Sequence, residues 1–307
     1  MFGGVEKINS IDRRSFIKYL ASIGIFAFTG KLFGSNSVEM LEKIDQVIGH
    51  EGSFIQPFFP YPPPVEGADF AMAIDIGACI GCRRCLHACK LENNIPDEPD
   101  DMQWINLYEM QDTQSVSDVE MLPPPGSNEL YTESPKEGFW YLSFNCFHCE
   151  DPPCTKVCPT EATYKDKDGL VLVDYDRCIG CRACMGACPY SARHFNWFQP
   201  ELPPERISPI DGTIIPINPK VQRRYKGVVE KCTFCVHRIR AGNPVPRCVE
   251  VCPTRARHFG DLNDPSTEVY KIVHDLRTIR IRQDLNTGPH LFYFTRGKKW
   301  LKDGKMV

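Results

Sequence analysis

Sixteen cysteines constrain this chain more than any other feature, because they fall into four quartets with short, repeated gaps. The first is Cys79, Cys82, Cys85 and Cys89, and the second Cys146, Cys149, Cys154 and Cys158. The third is Cys178, Cys181, Cys184 and Cys188, and the fourth Cys232, Cys235, Cys248 and Cys252. The first and third share the spacing Cys-x2-Cys-x2-Cys-x3-Cys, whereas the middle gap widens to four residues in the second and twelve in the fourth. Proline follows the last cysteine of three quartets, as Pro159, Pro189 and Pro253. No cysteine is left over.

Cys-x2-Cys-x2-Cys can wrap three soft thiolates round one cuboidal iron–sulfur cluster, with Gly81 and Gly180 letting backbone approach the sulfides. The fourth cysteine is expected to open a helical turn that points away, the following proline being suited to a helix start. In two-cluster ferredoxins that cysteine ligates the neighbouring cluster. Cys158 and Cys178 are 20 positions apart, against 57 from Cys89 to Cys146 and 44 from Cys188 to Cys232. The middle quartets are therefore expected to form one module and the outer two another. The predicted ligand sets are Cys79, Cys82, Cys85 with Cys252 (cluster 1); Cys232, Cys235, Cys248 with Cys89 (cluster 2); Cys146, Cys149, Cys154 with Cys188 (cluster 3); and Cys178, Cys181, Cys184 with Cys158 (cluster 4).

Other chemistries use cysteine too. A disulfide framework suits an even count in an exported chain, but sulfurs two residues apart are crowded for separate crosslinks. Zinc ribbons pair Cys-x2-Cys without the recurrent third cysteine and Cys-Pro. Haem attachment needs histidine after Cys-x2-Cys, and the residues there are Arg83, Leu86, Glu150, Arg182, Met185 and Val236.

The rest of the composition narrows the class. A length of 307 residues holds one large domain or two ordinary ones, and 42% apolar residues argue against disorder. A net charge of −3 removes the polybasic nucleic-acid binder, so no nucleic-acid partner is expected. No GxGxxG, Walker loop or G-x-S-x-G is present, so no catalytic residue is assigned. Near the start, Arg13 and Arg14 precede Phe16-Ile17-Lys18 and an apolar run from Tyr19 to Gly30, too short to span a bilayer comfortably. This resembles a twin-arginine export signal; a surface helix with two solvated arginines and an anchor retained over Tyr19 to Phe33 are the other readings, and no small-x-small cleavage site is obvious. Clusters are assembled in the cytoplasm, so a protein that carries them outside crosses folded, and the twin-arginine export machinery is an expected partner.

The expected fold is α+β, two interleaved bacterial-type two-cluster ferredoxin modules with long loop insertions. Its divisions are a signal region (1–37), a proline-rich linker (38–70), the first cluster motif with its insertion (71–136), a central module (137–196), an insertion (197–225), the fourth motif (226–262) and a C-terminal partner-docking tail (263–307). Strands are expected over Ala71 to Ile76, Trp140 to Phe144, Leu170 to Asp174 and Gly227 to Lys231. Helical turns are expected at Thr160 to Thr163 and Tyr190 to Arg193. Arg83, Arg84, Lys90, Arg182, Lys231 and Arg247 lie beside ligands, where they could favour reduced clusters or simply be solvated. His87 and His148 are close enough in sequence to be considered as ligands, but the thiolates already complete the set. Trp104, Trp140, Trp197 and the stretch Phe195 to Phe198 read as packing before electron relay.

Three segments carry a family resemblance: Cys-Phe-His-Cys-Glu-Asp-Pro-Pro-Cys (146 to 154), Arg-Cys-Ile-Gly-Cys-Arg-Ala-Cys-Met-Gly-Ala-Cys-Pro-Tyr (177 to 190) and Gly-Val-Val-Glu-Lys-Cys-Thr-Phe-Cys (227 to 235). With four quartets in this order, the chain resembles the iron–sulfur electron-transfer subunit of the dimethyl sulfoxide reductase, polysulfide reductase and formate dehydrogenase family. The likeness runs from about residue 70 to 295 and includes Phe259 to Pro265 and Thr287 to Tyr293. It implies a non-catalytic relay between a polytopic membrane quinone-interacting subunit and a molybdopterin catalytic subunit or a multihaem cytochrome. Some relatives replace one cysteine and carry a three-iron cluster, whereas here every position is cysteine, implying four [4Fe-4S] clusters. The implied location is periplasmic, peripheral to the membrane through a partner. The iron–sulfur subunit of a periplasmic hydrogenase or a sulfite-reduction-linked membrane complex fits the same pattern, and a zinc or disulfide interaction module is the remaining alternative.

Overall fold

The computed structural model describes residues 61–96, 102–112, 114, 133–200, 205–208, 212 and 214–296. The expected signal with Arg13 and Arg14, and the linker up to residue 60, lie outside them. In chain order the strands are β1 (Phe70–Asp75), β2 (Asn106–Gln111), β3 (Phe139–Phe144), β4 (Thr163–Lys165), β5 (Val171–Val173) and β6 (His194–Phe195). They continue with β7 (Glu205–Ile207), β8 (Ile214–Pro216), β9 (Val229–Glu230), β10 (Arg257–Asp261) and β11 (Leu291–Phe294). The α-helices are α1 (Arg84–Glu92), α2 (Pro153–Lys156), α3 (Ala183–Ala187), α4 (Val236–Ile239), α5 (Arg247–Glu250) and α6 (Glu268–Asp275). This is the mixed α and β composition expected, in small sheets. Among the described residues no helix is long and apolar enough to cross a membrane.

Every quartet sits between a strand that leads in and one that leads out, and those strands pair in succession. β2 pairs antiparallel with β3, placing Asn106 opposite Phe144. β4 pairs with β5, Thr163 opposite Val173, and β6 with β9, His194 opposite Glu230. The last exit strand returns to the first entry strand, β10 antiparallel to β1 with Phe70 opposite Asp261. Short ladders thus tie each quartet to the next and the fourth to the first.

The β1 strand shows how the core is divided. Alternate side chains of a strand face opposite ways: Ala71 and Ala73 pack with Val269 and Ile272 of α6, while Phe70, Met72 and Ile74 join the main core around the buried cysteines. Small alanines let α6 approach the sheet. Its first turn is capped by Thr267, whose hydroxyl accepts from the Tyr270 N–H at 3.2 Å. β11 completes this sheet by running parallel to β1, Met72 opposite Leu291. Within the segment 263–307, expected as a docking tail, α6 packs on one face of β1 and β11 lies beside β1 in the same sheet. Phe70, placed at the end of the linker, opens β1.

The expected strands appear within one or two residues, but the helical turns do not follow the terminal cysteines. Thr163 belongs to β4, and His194 opens β6 just beyond Arg193. The short helices stand earlier, around the third cysteine of their quartets, as with Cys154 in α2, Cys184 in α3 and Cys248 in α5. Proline after the last cysteine acts as a stop rather than a start. It disfavours helical backbone in the residue before it, and Cys188, ahead of Pro189, is extended at φ −79 and ψ 112.

Candidate iron–sulfur centres

The first and third quartets are built by one local plan. Asp75 and Asp174 each stand four residues ahead of the first cysteine. The Asp75 Oδ1 accepts from Gly77 and Ala78 N–H at 3.0 and 3.2 Å, and the Asp174 Oδ1 from Asp176 and Arg177 at 2.9 and 3.3 Å. These turns aim the Cys-x2-Cys loops. Gly81 and Gly180 adopt φ +68 and +70. A Cβ on Gly180 would lie 2.2 Å from the Gly227 carbonyl oxygen, and one on Gly81 2.5 Å from the Tyr141 ring. The sterically forced contact of each glycine is thus with neighbouring protein. Arg83 and Arg182 then enter the helices through left-handed backbone, φ 58 and 62.

The cysteines followed by proline share a second plan. Three residues beyond each lies a left-handed residue, Glu161, Ser191 or Arg255, with φ of 52, 48 and 52. The returning chain presents N–H groups to sulfur: Thr163 to Cys158 Sγ at 3.4 Å and Ala256 to Cys252 Sγ at 3.2 Å. Such donors favour the thiolate. At Cys158 burial opposes ionisation, but the Thr163 and Thr160 donors prevail and lower its pKa.

The fold brings distant cysteines together. A cavity is lined by Cys79, Cys82 and Cys85 from the first quartet with Cys252 from the fourth. Cys89 faces Cys232, Cys235 and Cys248, and the Asn93 amide reaches both Cys89 Sγ at 3.5 Å and Cys235 Sγ at 3.7 Å. Cys149 faces Cys146, Cys188 and Cys154. Cys184 has Cys154 and Cys178 as neighbours, while Cys158 is held by its own loop. Burial pushes the thiols of Cys79 and Cys188 up to about 11 and those of Cys85, Cys149 and Cys232 up to about 12. Protons on buried thiols are displaced when metal binds.

All sixteen cysteines are free. Soft donors brought together from separate quartets, with amide and N–H groups aimed at several of their sulfurs, have the chemistry of iron–sulfur ligation. His148 supplies no ligand atom: its Nδ1 accepts from Val171 N–H at 3.0 Å, leaving Nε2 to donate to the Cys232 carbonyl at 2.9 Å. The ring also stacks on Phe234, and burial holds it neutral by driving its pKa well below the ordinary value.

Of the basic residues beside ligands, Lys231 is buried and donates to the Cys232 carbonyl at 2.8 Å. Arg182 lies over Trp197, 4.8 Å from its centroid, and Arg247 pairs with Glu250 at 2.8 Å. Trp104 and Trp140 are core residues, whereas Trp197 is 53% exposed. The sequence reading missed Arg193 and Arg257, which are buried and face cysteine sulfurs. Their signal was positional, since each stands five residues after a Cys-Pro cysteine.

Two family models described as 4Fe-4S dicluster domains match the chain, one over residues 138–202 and 210–262, the other over 78–163. Together with the sixteen cysteines they provide for four [4Fe-4S] clusters. The Hdr-like menaquinol oxidoreductase iron-sulfur subunit 1 of Archaeoglobus fulgidus is 39% identical over 257 residues, covering 76% of this chain and 85% of that protein. A putative dimethyl sulfoxide reductase iron-sulfur subunit of Halobacterium salinarum is 41% identical over 239 residues, 76% of this chain and 82% of that protein. The menaquinone reductase iron-sulfur cluster-binding subunit of Nitratidesulfovibrio vulgaris is 35% identical, with 76% and 91% covered.

Proposed function

Because the chain belongs to the family of 4Fe-4S dicluster iron–sulfur subunits of reductase complexes, we propose that it is an exported, non-catalytic electron relay. It connects a quinone-linked membrane subunit with a molybdopterin catalytic subunit or a cytochrome, and it lies in the periplasm, peripheral to the membrane. The observation that carries this reading is the complete set of four cysteine quartets with no position substituted. Clusters bound there take up and release single electrons.

The ligand sets are those in which three cysteines of one quartet join the last cysteine of another, and the outer quartets form a module interrupted by the inner one. The cavity shared by Cys79, Cys82, Cys85 and Cys252, the approach of Cys89 to the fourth quartet, and the β1–β10 and β4–β5 ladders support this arrangement. Menaquinol and menaquinone in the names of two relatives support a quinone-linked partner. Exposed Cys181, beside Ile179 and near the solvent-facing Trp197 and Arg182 pair, offers a short route to a docked redox protein. Arg13 and Arg14 support export by the twin-arginine route.

Anaerobically purified protein is expected to contain roughly sixteen iron and sixteen acid-labile sulfide per chain, four for each cluster, with interacting paramagnetic signals after dithionite reduction. Zinc in place of iron, or colourless disulfide-bonded protein, would withdraw the relay function. For export, joint Arg13→Lys and Arg14→Lys replacement should leave brown protein in the cytoplasm; normal export of that variant would contradict the route.

A further inference from the structure

Arg193 and Arg257 occupy equivalent places in the repeated architecture, five residues after Cys188 and Cys252. They are 4% and 3% exposed. Buried Arg224 pairs with Glu230 and Arg240 with Asp166 and Asp168, while Arg206 donates to the Lys90 and Leu91 carbonyls and to Asn94 Oδ1. Among the described residues, Arg193 and Arg257 have no carboxylate partner. Arg257 donates to Asn145 Oδ1 at 2.7 Å, to Met72 Sδ at 3.2 Å and to Ser143 Oγ, and its Nε has no hydrogen-bond partner. Arg193 donates to Thr163 Oγ1 at 3.1 Å, and its Nη2 is unpartnered. An isolated buried cation is unfavourable unless a counter-charge faces it.

What faces them is sulfur. Around Arg257 stand Cys248 and Cys232 from one proposed ligand set and Cys85 and Cys252 from another. Around Arg193 stand Cys154, Cys146 and Cys188 from the third set and Cys184 from the fourth. The cavity lined by Cys79, Cys82, Cys85 and Cys252 is also lined by Arg257.

We propose that Arg193 and Arg257 are positioning residues for electron transfer, each a fixed cation standing between the two clusters of one module and raising the reduction potential of both. The proposal rests on the ligand sets given above. Adding one electron from the donor to either set adds one negative charge, and the guanidinium offsets part of it without taking up a proton. The effect is electrostatic and shared, so it belongs to the module rather than to one cluster. Neutral replacement in one module should leave the other module's potentials in place.

The test is a redox titration of the purified holoprotein followed by electron paramagnetic resonance, with iron content measured on each variant. Arg257→Met should lower the reduced-to-oxidised ratio of two signals at least tenfold at fixed potential, a shift of about 59 mV for a one-electron couple. Arg193→Met should do the same to the other two. Arg257→Lys and Arg193→Lys, which keep the charge, should move their signals by less than half as much. Full iron with unmoved potentials in the Met variants would overturn the charge role while leaving the ligand sets intact. A Lys variant displaced as far as its Met counterpart would also overturn it. A shift of one signal from each module would instead overturn the ligand sets on which the proposal rests. Should the Met variants assemble no clusters, full iron in the Lys variants supports the charge requirement, and iron loss there too assigns the arginines to packing and overturns it.

Discussion

The first and third quartets have the same cysteine spacing, the same aspartate turn and the same left-handed arginine, yet they end differently. In the first, the helix runs nine residues through Cys89 to Glu92; in the third it stops after five, at Ala187. The residue after the last cysteine explains the difference, Lys90 in one and Pro189 in the other. With the helix prolonged, Asn93 can reach Cys89 and Cys235. The insertion then covers that end: Arg206 donates to the Lys90 and Leu91 carbonyls at 3.2 and 2.7 Å, and Asn218 to the Glu92 carbonyl at 3.0 Å. Among the described residues nothing equivalent shields the third quartet, whose Cys181 is exposed. Equal spacing therefore specifies the ligand loop, while one neighbouring residue and a remote insertion decide its depth. Depth matters because solvent exposure is among the factors that set cluster potentials.

The largest expected effect comes from unfastening the insertion. Arg224 pairs with buried Glu230 and donates to the Asn94 carbonyl at 3.0 Å, tying the insertion to the first quartet's helix. Arg224→Met leaves Glu230 buried without its partner and should cost about 3–5 kcal/mol. Denaturant unfolding checks the loss, and the first quartet should become more accessible to iron chelators than the third. Next, Lys90→Pro would give the first quartet the third's ending; proline inside a helix costs about 3 kcal/mol, whereas Pro189→Ala should change the unfolding midpoint little. Equal losses from the two variants would break the comparison.

A smaller effect should appear with pH. Burial, reinforced by Arg224, depresses the His194 pKa to about 4, and burial, reinforced by Lys165 and Arg280, does so for His290. The unfolded chain protonates both near pH 6.5. Their contribution is fully present above that value and is lost as pH falls from 6.5 towards 4, roughly 2 kcal/mol between pH 6.5 and 5.5. His194→Gln should remove about half of this slope in equilibrium unfolding across that range. The smallest effect is expected at Trp197: removing its exposed ring should change stability by under ~1 kcal/mol, although Arg182 loses the ring beneath it. A large loss at Trp197 would show that the third quartet is more tightly enclosed than its exposed cysteine indicates.

These differences mark where sequence reading succeeds. Cysteine spacing displayed the four ligand loops directly because such loops are local, and apolar runs displayed β1, β3, β5 and β9 to within one or two residues. Helix placement around Cys154, Cys184 and Cys248 was misread because proline suits either a helix start or the stretch just past its end, and only the backbone at Cys188 distinguishes them. The role of β11 was hidden because its partner β1 lies more than two hundred residues earlier. Arg193 and Arg257 resemble surface arginines in the sequence, and burial against cysteine sulfurs emerges only after the ladders have closed.

The central claim is that each quartet gives its last cysteine to a set begun by another quartet. Cluster-resolved electron paramagnetic resonance of four single variants, Cys149→Ser, Cys188→Ser, Cys181→Ser and Cys158→Ser, tests it most directly. The account predicts that Cys188→Ser alters the signal altered by Cys149→Ser, and that Cys158→Ser alters the one altered by Cys181→Ser. If Cys188→Ser instead alters the Cys181 signal, each quartet keeps its own cluster and the exchange is contradicted.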